Sequence, residues 1–159
     1  MSGVMEKFFD DGPVDVRVAN FRANVEATES FMFSLPQITA EPVHRFAPGL
    51  YCRQLTMPPD TVWMSKTHKY DHFAFIMSGS CTVISEAGRE TLFAPFMMKT
   101  QAGTKRLLLI HEECTWITVH SVPPEINQAE HVEEIEDYLA CNTLADFENY
   151  MLEKREVIS

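Results

Sequence analysis

No run of about eighteen apolar residues occurs in the 159-residue chain, so no transmembrane helix is expected. The first eleven residues lack a basic start followed by an apolar stretch and carry Glu6, Asp10 and Asp11 instead, which argues against a secretory signal. Basic residues are in short supply. Thirteen Lys and Arg stand against 23 Asp and Glu, for a formal net charge of −10. An acidic body repels phosphate backbones. Lys99, Lys105 and Arg106 form the densest basic group and resemble a sheet edge or turn. Neither nucleic acid nor a membrane is therefore expected as a partner. Cys52, Cys81, Cys114 and Cys141 show no C-x-x-C spacing and read as reduced thiols. Also missing are G-x-G-x-x-G, G-x-x-x-x-G-K-[ST] and G-x-S-x-G, the signatures of dinucleotide, P-loop and hydrolase sites. No repeat or low-complexity tract is visible.

What is present is ordinary globular material. Apolar residues make up 45% and charged residues 23%, enough for a real core in one domain. Eleven Phe and nine Met supply bulky, adaptable filler. The middle of the chain alternates and is broken by turns. Leu50 to Met57 reads as a strand ended by Pro58-Pro59-Asp60. Thr61 to Thr67 follows. His72 to Met77 is an apolar run closed by Ser78-Gly79-Ser80, and Cys81 to Ser85 is the next strand. Thr91 to Ala94 and Phe96 to Thr100 are split by Pro95. Lys105 to Ile110 and Cys114 to His120 are separated by His111-Glu112-Glu113. Short strands between Gly, Pro and Asp turns predict an all-β, antiparallel barrel or sandwich. No helix-length pattern lies between them, which disfavours a parallel sheet.

The ends differ. Residues 1–43 form an N-terminal arm, with a helix predicted from Phe21 to Phe33. Residues 44–122 form the barrel, and 123–159 an acidic helical tail. In the tail, Asn127 is expected to cap a helix with Val132, Ile135 and Leu139 on one face and Glu130, Glu133, Glu134 and Glu136 facing water. Thr143 with Asp146 is expected to cap a second helix, and both apolar stripes are expected to dock on their own domain.

Chemistry points to the histidines. His72, Ala74 and Ile76 share one strand face, as do Trp116, Thr118 and His120. If both faces point into the barrel, His68, His72 and His120 converge. Three neutral imidazoles would suit Zn²⁺, Fe²⁺, Mn²⁺ or Ni²⁺. The alternative is that each is satisfied by a carbonyl or water. Asp71 is placed to orient His72, or to be solvated. Tyr70 is placed at the barrel mouth or packed on its rim. His44, His111 and His131 read as structural or solvated.

The segment from His68 to Gly79 resembles the first motif of the cupin family, two histidines and a glutamate followed by a glycine. Counting back from Gly79, His72 falls on the glutamate position, His68 on the second histidine and Lys66 on the first. Gly88, Pro95 and Gly103 resemble the skeleton of the second motif, with Arg106 on its histidine position. The resemblance implies an antiparallel jelly-roll barrel. It also implies that the usual three-histidine, one-glutamate centre cannot form, leaving either a variant centre of His68, His72 and His120 or no metal. Lys66, Arg106, Trp116, Tyr70 and Asp71 are then the expected pocket residues.

Ala102-Gly103-Thr104-Lys105-Arg106 and Trp116-Ile117-Thr118-Val119-His120 are similar to segments of small cupin-like proteins encoded by tailed bacteriophages. That likeness implies a phage accessory or virion-associated protein, a homo-oligomer in contact with virion proteins, in the host cytoplasm or the virion and not secreted. Two alternatives are a metal-dependent cupin enzyme of dioxygenase or sugar isomerase type, with Tyr70 or Asp71 in proton transfer, and a non-catalytic ligand-binding barrel. Fold does not choose among them.

Overall fold

The computed structural model describes residues 14–158. The eleven residues that argue against a signal lie outside the described residues. In chain order the elements are helix α1 (Val14–Phe33), then strands β1 (Val43–Ala47), β2 (Leu50–Met57), β3 (Val62–Met64), β4 (Thr67–His68) and β5 (His72–Ser85). Strands β6 (Gly88–Phe93), β7 (Phe96–Thr100) and β8 (Leu107–Ser121) follow. A 3₁₀ turn (Ala129–His131), helix α2 (Val132–Leu139), strand β9 (Ala140–Cys141) and helix α3 (Leu144–Ile158) end the chain. The fold is an antiparallel β-sheet structure with one N-terminal and two C-terminal α-helices among the described residues, as the sequence predicts for its class.

Strands β5 and β8 form the spine of a seven-stranded sheet in the order β1-β2-β8-β5-β6, with β3 added to β8 and β7 to β5. The sequence predicts a turn at Ser78-Gly79-Ser80 and another at His111-Glu112-Glu113. The structure has neither. Both strands run through, and their register shifts between Ile76 and Cys81. A bulge inserts residues without reversing the chain, and it bends paired strands together. Gly79 takes φ +82, and a Cβ there would overlap the Glu113 carbonyl. Its glycine marks the close approach of β8, not a reversal.

The bend turns the two halves of the sheet toward one core. Ala74, Ile76 and Trp116 from the near half meet Cys81, Val83, Leu108 and Ile110 from the far half. The outer face of the far half is covered by α1. Phe21 and Val25, one helical turn apart, pack on Ile84, Leu107 and Leu109. The described part of the N-terminal arm therefore contains a 20-residue helix, longer than the predicted one, whose Phe21 and Val25 join the core. Glu29 of α1 forms a buried ion pair with Lys105, which also donates to the Asn142 carbonyl at 3.3 Å.

The tail docks on the barrel. Ile135 and Leu139 of α2 are buried against Tyr51 and Val122. Thr143 caps α3 as expected, its Oγ1 accepting from the Asp146 amide at 3.1 Å. Asn127 does not cap a helix. Its side-chain amide donates to the Ala47 and Leu50 carbonyls at 2.8 and 3.2 Å, closing the turn between β1 and β2. Glu136, expected in water, turns inward to Arg53 and Lys66.

Candidate metal centre

Strand register brings two of the histidines together. Phe73 pairs with Val119 across β5 and β8, so the next step sets His72 opposite His120. The same row continues to Thr100 on β7, opposite His72, and to Tyr51 on β2, opposite His120. His68 arrives from elsewhere. Its strand β4 pairs with β9, and the Gly103 amide donates to its carbonyl at 2.9 Å. The neighbouring Lys69 amide donates to Leu139 at 2.7 Å. The tail thus holds the third imidazole against the barrel.

The rings of His68, His72 and His120 lie 4.3 to 5.1 Å apart between centroids. One nitrogen from each falls within 4.8 Å of the others. Burial pushes the His68 imidazole down to about 2, and the neighbouring His72 and His120 lower it further. Burial also carries His120 down to about 3, with His72 next in effect. His72 is lowered as well, by burial first, against a weaker opposing contact with the Tyr70 carbonyl. All three rings are therefore neutral at pH 7 and keep their lone pairs. Thr118 Oγ1 lies 2.8 Å from His120 Nε2, which partners that nitrogen. The Tyr70 carbonyl lies 3.4 Å from His72 Nδ1, which leaves Nε2. Three neutral imidazoles, two of them buried and with one ring nitrogen each already partnered, are the donor set of a divalent transition metal. The residues present fit such an ion.

No protein-family model matches the chain, and no curated protein matches it. Solved structures similar to it include a cupin-2 domain containing protein from Shewanella frigidimarina, at 16% identity and TM-score 0.45, covering 59% of this chain and 92% of that one. The EutQ protein of Clostridium difficile is similar at 16% identity and TM-score 0.44, covering 52% and 67%. A cupin domain from Bordetella pertussis is similar at 14% identity and TM-score 0.44, covering 56% and 99%.

The cluster opens onto a cavity of about 470 Å³. Lys66, Arg106 and Trp116, expected there from the sequence, line it. Tyr70 and Asp71 do not reach it. Asp71 turns out to the Ala102 amide (2.9 Å) and Lys99 (3.3 Å), whose hydrogen bonds hold its carboxyl below the usual range. Tyr70 stacks on Tyr138 of α2, 5.1 Å between centroids. His44 contacts the Tyr51 hydroxyl at 2.5 Å, His111 contacts Thr82 and His131 contacts Glu134, so all three stand apart from the centre.

The sequence reading misses Arg53, Trp63, Tyr51 and Glu136. Tyr51, Arg53, Leu55 and Met57 alternate on the inner face of β2, so the period of two signals Arg53 and Tyr51. Nothing in the tail sequence signals that Glu136 takes both Arg53 (3.7 Å) and Lys66 (3.5 Å). Burial raises the Tyr51 phenol to about 12, so its hydroxyl is neutral, and it is held by His44.

Proposed function

We propose that this protein is a cupin-type barrel that binds one divalent transition metal through His68, His72 and His120 and uses it on a small molecule held in the adjoining cavity. The convergence of three neutral imidazoles, two of them buried, carries the reading. Three protein ligands leave open positions on such an ion. When bound, the metal supplies Lewis acidity to a group in the cavity. The chain's own residues supply the rest. Thr118 fixes the His120 ring, β9 fixes His68, and Trp63, Leu55 and Trp116 exclude water from one wall. A scaffold role in a phage particle rests on sequence resemblance alone, and no feature of the site favours it.

Elemental analysis of the purified protein tests the proposal. About one metal ion per chain is expected, and its loss in both His68→Ala and His120→Ala. Failure of the wild type to hold or take up Zn²⁺, Fe²⁺, Mn²⁺ or Ni²⁺ would overturn it.

A further inference from the structure

The charge inside the cavity runs against the charge of the chain. Although the protein carries −10 overall, the charged residues lining this cavity are Arg53, Lys66 and Arg106 against Glu41 and Glu136. Glu136 is engaged by both Arg53 and Lys66. Arg106 has no carboxylate partner among the described residues. Among the described residues its side chain donates one hydrogen bond, to the Thr100 hydroxyl at 2.8 Å. Thr100 in turn sits opposite His72 in the sheet, which puts the guanidinium beside the histidine cluster. The backbone of Arg106 is pinned twice to Ser65, its amide donating to the hydroxyl and its carbonyl accepting from the amide, both at 2.9 Å. The arginine is therefore positioned, partly buried and short of an anion. A guanidinium has five N–H donors in a planar fork that fits a carboxylate.

One wall of the cavity is apolar. Trp63 and Trp116 line the cavity together with Leu55, Met57 and Leu108. We propose that the cavity binds a small organic monocarboxylate, with its carboxylate on Arg106 and its apolar body against Trp63 and Trp116. One uncommitted guanidinium matches a single negative charge, which favours a carboxylate over a phosphate dianion. The size of the cavity is that of a small-molecule site. The proposal rests on reading this cavity as the functional site, but it requires no metal, because the anchor is Arg106.

The chain has two tryptophans and both face the cavity, so their fluorescence reports occupancy. The test titrates the chelator-treated, full-length protein with phenylacetate, phenylacetamide and phenyl phosphate. A saturable change with phenylacetate is expected, at least tenfold tighter than with the neutral amide or the phosphate. Arg106→Gln should weaken phenylacetate at least tenfold and leave the amide unchanged, while Arg106→Lys retains part of the preference. Equal binding of acid and amide by the wild type overturns the inference without recourse to any variant. So does the absence of a saturable change, or tighter binding of the phosphate. The two readings fail separately. Loss of metal binding with the acid preference intact removes only the proposed metal function. Retained metal with no acid preference removes only this inference.

Discussion

At the residue scale, the three histidines couple proton uptake to folding. In the unfolded chain each imidazole takes a proton near pH 6.5. In the folded, metal-free protein His68 stays neutral down to about 2 and His120 down to about 3. The folded-state values are depressed, so the unfolded state binds more protons below 6.5. Stability is complete above that pH and falls as pH drops toward the folded values, by up to about 1.4 kcal/mol per pH unit for each such histidine. Urea melts of chelator-treated protein at pH 7.5 and 5.5 should show this loss, and His120→Ala should reduce it. Equal pH slopes in the two proteins would contradict the burial of these rings. Strand alternation groups His72 with Ala74 and Ile76, and His120 with Trp116 and Thr118; the structure supplies the inward direction of both faces. The same alternation decides between the two readings of Asp71 in favour of the solvated one. The immediate neighbour of an inward residue faces outward, so adjacency in sequence separates Asp71 from the His72 ring.

At the element scale, the bend and the helix that covers it decide the shape. Gly79→Ala places a methyl on the Glu113 carbonyl and forces a side chain into a left-handed backbone. A loss of roughly 2–4 kcal/mol is expected from strain and overpacking combined, read by chemical denaturation. A glycine in an ordinary turn would cost far less, so a change under about 1 kcal/mol would show that β5 and β8 do not bend together here. The attachment of α1 is tested at the Lys105–Glu29 pair, whose side chains are 1% and 9% exposed. Lys105→Met leaves a buried carboxylate without its partner and should cost about 3–5 kcal/mol. Adding Glu29→Leu should recover most of that, because the double variant has no charge to desolvate. If the single variant is nearly neutral, the pair is solvated and α1 is less firmly docked than the structure shows. Sequence reasoning placed the strands of this region well and misread what joins them. A Gly between two apolar runs is compatible with a turn or a bulge, and only the partner strand distinguishes them.

At the scale of the whole molecule, the centre exists only in the folded state. Its three histidines come from β4, β5 and β8, and β4 is held by β9 near the other end of the chain. A metal that binds this arrangement and not the unfolded chain must stabilise the fold. Free Zn²⁺ at a hundred times its dissociation constant should add about 2.7 kcal/mol and raise the melting temperature, with chelator reversing the rise. His68→Ala should abolish the shift while retaining the fold. A rise that persists in that variant would place the metal elsewhere.

The amino-acid order by itself determined the all-β class, most of the strand positions from Leu50 to His120, the Thr143 cap, and the three histidines worth testing. Those features depend on neighbours a few residues apart, where alternation and turn chemistry operate. Only the tertiary structure decided that Gly79 bends a strand, that α1 covers the sheet, that His68 is anchored by the tail, and that Glu136 occupies Arg53 and Lys66 while Arg106 is left without a carboxylate. Each of these is a contact between residues far apart in the chain, and no local pattern encodes which distant partner a side chain will meet.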